Sequence, residues 1–255
     1  MKLTEQWSFE LDNWGIPQDI LSQAPESPWI HPPTLFEVPA VIPETPSHAR
    51  AREALTQGGT VLDIGCGGGL AAFALTPPAS RVIGVDHQAK MLDMFAVGAM
   101  DRGLIHEEFL GDWPDVEKHI PIVDVVTCHN VAYNVRDIEP FVLALARHAR
   151  KRVVMEVPQQ HPLMMMSGAW KKFWNLDRPS GPTAEQLCNI VISLGFDAHI
   201  ELWNSDFVRE ISFEDQVRFA RIRLCLPSSR DAEIADYLKS EPKYGSRPTA
   251  TIWWD

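Results

Sequence analysis

The sequence predicts an α/β protein, a doubly wound, mostly parallel seven-stranded sheet with helices on both faces, plus N-terminal and inserted helical lid segments. Three observations carry this. Short apolar runs at residues 60–64, 81–85, 104–110, 122–127 and 152–157 are bounded by turn residues, as in strands buried on both faces. Stretches with helical spacing separate them, the clearest being 88–102 with apolar Met91, Leu92, Met94, Phe95 and Val97. The connections are short, and strand–helix alternation of this kind makes neighbouring strands parallel.

Taken in order, residues 1–46 form a Trp- and Pro-rich cap with Trp7, Trp14 and Trp29. One short helix is expected at 16–24, and extended chain over the rest. Three Trp in so short a stretch argue for packing rather than disorder. Ser47 can cap a helix running to about 57. Strand 60–64 leads through a glycine turn into helix 68–75, which Pro77 and Pro78 stop. Strand 81–85 is followed by helix 88–102, and strand 104–110 ends a third unit. Strand 122–127, helix 138–150 and strand 152–157 complete a half spanning 47–158. Residues 159–182 read as an insertion, where Trp170, Phe173 and Trp174 suit one helix face. Thr183 and Gln186 make a capping box for a helix to about 194, closed by Gly195. Strands at 197–203 and 249–254 flank two helices, 213–224 and 231–238, so that 183–255 is a second half with a helical insert. All 255 residues are read as a single domain.

Composition bounds the function. The chain is 45% hydrophobic and 22% charged, with net charge −11. Such acidity argues against nonspecific binding to nucleic-acid backbones or anionic membranes. A basic cluster, Arg147, Arg150, Lys151 and Arg152, suits a helix C-terminus. The four cysteines are far apart with no CxxC pair, so neither a metal site nor a disulfide framework is expected. The N-terminus carries acids where a signal peptide has an apolar core, and no run reaches membrane-span length. A cytoplasmic protein is expected, monomer or homodimer.

The chemistry starts at VLDIGCGGGL, residues 61–70. A strand, a glycine turn and a helix start let backbone approach a ligand. The dinucleotide pattern G-x-G-x-x-G fails from Gly65, because position 70 is Leu. The better pattern is D-x-G-x-G-x-G: Asp63, Gly65, Gly67, Gly69. With VIGVDHQAKML, LGDWPD and VDVVTCHNVAYNV following in order, the chain resembles the class I methyltransferases that use S-adenosylmethionine (SAM) and release S-adenosylhomocysteine (SAH). "HNVAYNVRDIEPFV" and "WKKFWNLDRPSGPTAEQ" resemble an uncharacterised bacterial, small-molecule-type branch.

The resemblance implies site residues. Asp63, Gly65, Cys66, Gly67 and Gly69 would cradle the methionine part of the cofactor. Asp86, which ends the second strand and equally suits a helix N-cap, would take the ribose hydroxyls. His87, Gln88 and Met91 would line the ribose and adenine pocket, although Met91 alone suits core packing. Gly111, Asp112 and Trp113 would meet the adenine. Cys128 and His129 would reach the methionine end.

Methyl transfer is an in-line displacement that needs alignment and exclusion of water, and a base only if the acceptor carries a proton. His129 and Tyr133 are the candidate catalytic residues; Asn130, Asn134, His161, Trp170 and Trp174 are candidates for holding substrate. His129 equally suits an orienting or packing role. His161, in the insertion, is a second candidate base and His31 a third. Residues 128–131, Cys-His-Asn-Val, lack the (Asn/Asp)-Pro-Pro-aromatic motif of amine methylation on nucleic-acid bases or glutamine. A small or medium-sized organic acceptor in a closed apolar pocket is expected. A silent SAM-binding protein and transfer of a different group from SAM stay open. A dehydrogenase is disfavoured by Leu70 and by Asp63 ahead of the loop.

Overall fold

The computed structural model describes residues 1–29, 36–206, 211–241 and 246–255. One sheet holds seven strands: β1 (Thr60–Ile64), β2 (Arg81–Asp86), β3 (Ile105–Leu110), β4 (Val123–His129), β5 (Ala149–Pro158), β6 (His199–Ser205) and β7 (Arg247–Trp254). Their spatial order is β3-β2-β1-β4-β5-β7-β6. The first five run parallel. β7 inserts antiparallel between β5 and β6. The order reverses between β1 and β4, and crevices outside the carboxyl ends of strands at such a point are where ligands bind.

The helices are α1 (Leu3–Asp12), α2 (Gln18–Leu21), α3 (Pro46–Glu53), α4 (Leu70–Phe73), α5 (Ala89–Asp101), α6 (Ile138–His148), α7 (Ser167–Trp174), α8 (Ala184–Ser193), α9 (Phe213–Arg223) and α10 (Asp231–Ser240). Most lie where the periodicity puts them, and three departures matter. α1 replaces expected extended chain: Trp7, Leu11 and Trp14 recur at i, i+4 and i+7, and the Glu5 carboxylate accepts from the Lys2 backbone N–H at 2.9 Å. α3 starts before Ser47, because Thr45 Oγ accepts from the His48 N–H and Pro46 fills the first turn, where Pro costs nothing. α4 has only four residues, shorter than the expected 68–75. Of the three cap tryptophans, Trp7 and Trp14 are buried, whereas Trp29 is 52% exposed.

Apolar side chains form three clusters. One face of the sheet packs Ile64, Val85, Phe141, Leu145, Leu187 and Trp254 with Trp7 of α1. The other packs Val61, Val82, Phe73 and Phe95. A third cluster lies outside the sheet: Ile20, Trp170, Val217, Leu224 and Ile234 join α2, α7, α9 and α10. The insertion is thus anchored by its own small core, in which each fully buried large side chain contributes about 1.5–3 kcal/mol. Of the basic cluster only Arg147 lies on α6, the other three being on β5, and three of the four form ion pairs, Arg147 with Glu117, Lys151 with Asp124, and Arg152 with Glu53 and Asp255.

Candidate active site

The glycine turn leaves β1 with the Gly65 and Cys66 N–H groups both donating to the Val85 carbonyl, at 2.8 and 3.0 Å. This ties the turn to the end of β2. Gly69 sits at φ +96°, and a Cβ there would collide with the Phe73 and Phe95 rings. Gly68 has another reason: a Cβ would strike the Phe36 carbonyl, with Val38 beside it. Residues 36–38 of the cap therefore lie directly on the turn. Cys66 is buried, and burial with two nearby carboxylates pushes its thiol well above the ordinary value.

Asp63 is closed off beneath the turn. One carboxylate oxygen accepts from Thr127 Oγ1 at 3.1 Å and the other from the Ala72 N–H at 3.3 Å. Burial raises its pKa to about 7, against the opposing pull of those two hydrogen bonds. Asp63 thus locks β1 to β4 and α4, and at 1% exposure it is burial, not the count of its hydrogen bonds, that closes it off from above. Asp86 is different. Its Oδ2 accepts from the Gly67 N–H at 3.1 Å and its Oδ1 from the Gln88 N–H at 2.9 Å. A carboxylate offers about four acceptor positions, so each oxygen keeps capacity for a hydroxyl. His87 and Gln88 are exposed beside it, Met91 is buried in the core, and the Gly111 N–H returns to the Asp86 carbonyl at 3.0 Å. Asp112 is exposed. Trp113 packs on the core with its ring edge against His148, centroids 4.9 Å apart.

At the carboxyl end of β4 stands a second group. His129 is opposite Glu156 across the β4–β5 register, with Nδ1 4.0 Å from the Glu156 carboxylate and its side chain 9% exposed. The ring of His48 from α3 stacks on it at 5.8 Å. Thr45 Oγ1, which caps α3, reaches the same Glu156 oxygen at 3.5 Å. Burial holds both imidazoles at about 4, so they are neutral at pH 7. The Nε2 atoms of both are buried with no hydrogen-bond partner. Cys128 is fully buried in the strand and its thiol pushed up.

Residues 61–152 match the family model described as a methyltransferase domain. The chain is 30% identical over 207 residues to an uncharacterised protein of Haemophilus influenzae, covering 76% of this chain and 75% of that one. It is 33% identical over 93 residues to the ubiquinone biosynthesis O-methyltransferase of Sodalis glossinidius, 35% of this chain and 36% of the relative. The YcgJ protein of Bacillus subtilis shares the fold at TM-score 0.55 and 17% identity, over 82% of this chain and 97% of that one. The chain belongs to the class I SAM-dependent methyltransferases.

The residues of the methyltransferase fit its cofactor in chemistry: Asp86 retains acceptor capacity beside the turn, while Phe36 and Val38 of the cap cover Gly67 and Gly68. When bound, SAM supplies an electrophilic methyl group on a sulfonium. Asp86 and the turn would hold it, with Asp63 bracing the turn from below.

On the acceptor side several of the expected site residues have packing partners. The Tyr133 hydroxyl donates to the Pro158 carbonyl at 2.9 Å, its ring stacks on Trp7, and burial raises its pKa. His161 is sandwiched, parallel to Trp14 at 4.0 Å and edge-on to Tyr133 at 5.4 Å, with Nδ1 accepting from the Leu163 N–H. It pins the insertion to the cap. Trp170 is buried in the third cluster, and Trp174 donates to the Leu224 carbonyl at 2.7 Å. Trp170 also lines a cavity of about 10 Å³ with Trp29, Leu163 and Arg178, a space of water size rather than a substrate pocket. Asn130 and Asn134 are exposed on the loop after β4; the Asn130 N–H donates to the Glu156 carbonyl at 2.7 Å, and Asn130 adopts φ +61°. His31 lies outside the described residues. No three His, Cys, Asp or Glu side chains among the described residues are grouped to hold a metal ion. None of the helices among them is long and apolar enough to cross a membrane.

The sequence reading missed His48, Glu156 and Thr45. Glu156 had a legible signal, since it is the one charged residue in the apolar run VVMEVP, and a charge in a buried strand asks for a partner. His48 had none, because only the return of α3 against β5 and β7 brings it to His129.

Proposed function

We propose that this methyltransferase methylates a hydroxyl oxygen of a small or medium-sized organic acceptor, with His129 as the base. The observation that carries this is the buried His129 Nε2, which lacks a partner at the carboxyl end of β4 while its Nδ1 faces Glu156. A neutral imidazole of pKa about 4 is too weak to strip an ammonium beforehand. It suffices for a hydroxyl, whose proton becomes acidic as the O–CH3 bond forms. SAM would supply the methyl group in exchange for the hydroxyl proton, which would pass to His129 Nε2, with SAH as the other product. Glu156 stabilises the imidazolium that results, as an orienting carboxylate does beside a catalytic histidine. A carboxylate acceptor carries no such proton, and Glu156 would repel it. The net charge of −11 disfavours a nucleic-acid acceptor. A single domain acting in a reducing cytoplasm fits the four free, buried cysteines.

The test begins with calorimetric titration of SAM and SAH, with NAD as control, on the wild type and Asp86→Ala. Binding of the first two, lost in the variant, fixes the cofactor site. SAH release is then followed over a panel of hydroxyl, amine and thiol compounds, with His129→Gln alongside. Turnover confined to amines, or unaffected by His129→Gln, overturns the hydroxyl reading. SAM binding with no turnover of any class identifies a silent binding protein.

A further inference from the structure

Two histidine rings meet at the carboxyl end of β4, and neither Nε2 has a hydrogen-bond partner. His48 Nδ1 lies 3.2 Å from the Pro43 carbonyl. A carbonyl only accepts, so in neutral His48 the proton sits on Nδ1 and Nε2 is a bare lone pair. That Nε2 is buried and unpartnered, on a residue only 2% exposed. His129 Nε2 is likewise buried and unpartnered, with Nδ1 toward Glu156 and its ring parallel to His48 at 5.8 Å. Buried polar atoms are satisfied in the great majority of cases. Two orphaned Nε2 atoms side by side, that of His48 a fixed acceptor, point to the kind of group that would satisfy them.

We propose that His48 is a specificity-determining residue that accepts a hydrogen bond from a second donor group of the acceptor, next to the hydroxyl that is methylated. The substrate class is then a compound with two neighbouring donors, such as a dihydroxy compound: one hydroxyl gives its proton to His129 and the other stays bonded to His48 Nε2. This rests on the hydroxyl reading above and narrows it. Groups facing the pair belong to three elements: Thr45 at the start of α3, Glu156 on β5, and the Pro43 carbonyl ahead of α3. None of them is hydrogen-bonded to either Nε2; the Thr45 hydroxyl donates to Glu156 instead. The site discriminates through an unmade bond, since a compound lacking the second donor leaves His48 Nε2 buried and unsatisfied, and such losses reject an analogue strongly.

Two measurements test this. Long-range 1H–15N correlation of the labelled protein at neutral pH reads the tautomer of His48 directly, whatever the substrate. Expected is a protonated Nδ1 and a bare Nε2; a proton on Nε2 overturns the proposal. The second is SAH release over matched pairs of dihydroxy and monohydroxy arenes. The wild type should favour the dihydroxy member by about tenfold in kcat/KM, mainly through KM. His48→Phe should reduce that preference to less than about threefold, and His48→Gln, whose amide oxygen still accepts, should restore part of it. Equal handling of the pairs by the wild type, or a preference that survives in His48→Phe, overturns it. If no arene turns over at all, the hydroxyl reading itself fails, and the tautomer measurement still decides whether His48 presents a bare acceptor.

Discussion

Trp7, on the first helix, stacks on Tyr133, on the loop after β4, with ring centroids 5.6 Å apart and planes within 15°. The Trp7 indole N–H donates to the Val135 carbonyl at 2.9 Å. The cap therefore joins the principal core instead of lying loosely over it. Trp7→Ala should cost about 3–5 kcal/mol, as for other fully buried large side chains, read as a fall in the urea midpoint. A loss below about 1 kcal/mol would show that α1 is detachable.

Asp86 should decide cofactor affinity. Removing a carboxylate that accepts from the Gly67 and Gln88 N–H groups takes away both the ligand's acceptor and a brace of the turn. Asp86→Asn should weaken SAM binding by about tenfold and Asp86→Ala by about a hundredfold, measured by calorimetry on protein of unchanged circular dichroism.

His129→Gln should lower kcat by about a hundredfold or more, the range for a lost general base, with little change in KM. Glu156→Gln should lower it less and move the acid limb of the pH–rate profile. An unchanged profile would show that Glu156 does not act on His129.

Stability should fall on acidification between about pH 6.5 and 4. His48, His129 and His161 are held near 4 by burial, against an ordinary 6.5. The unfolded chain binds protons below 6.5 that the native one resists, so the stability these residues contribute is present above 6.5 and lost toward 4. Each is worth at most about 3 kcal/mol. Asp63, raised to about 7 from 3.8, runs the other way: its contribution is full below 3.8, is lost as pH rises through 7, and so returns on acidification. Asp63→Asn removes that offset. Urea midpoints at about pH 7 and about pH 4.5 should therefore drop further in Asp63→Asn than in the wild type; a shallower drop would reverse the sign argued for Asp63.

Trp174→Phe should lose about 1 kcal/mol of stability, the worth of one neutral hydrogen bond, and leave kcat/KM alone. A selective rise in KM would return Trp174 to the acceptor site.

Legibility from the sequence followed the range of the interactions. The strands, the glycine turn and Asp86 are written locally, in apolar runs and fixed spacings, and the structure places them as expected. α1 was written too, in the Trp7–Leu11–Trp14 spacing, but a strongly polar surrounding masked it. The roles of Tyr133, His161, Trp170 and Trp174 were not legible. Aromatic side chains at the right spacing serve a pocket or a core equally well, and which they serve depends on what packs opposite. His48 meeting His129 joins positions 81 apart in the chain, 48 and 129, and no periodicity encodes such a meeting.

The region shared with the methyltransferase family model runs from 61 to 152, whereas Thr45, His48 and Glu156 all fall outside it. Two chains alike over that window have the same cofactor machinery in common, yet they need not treat the same compound. On the acceptor reading proposed above, sorting relatives of this chain by the residues that occupy positions 45, 48 and 156 should divide them by acceptor, a partition invisible to any comparison confined to residues 61–152.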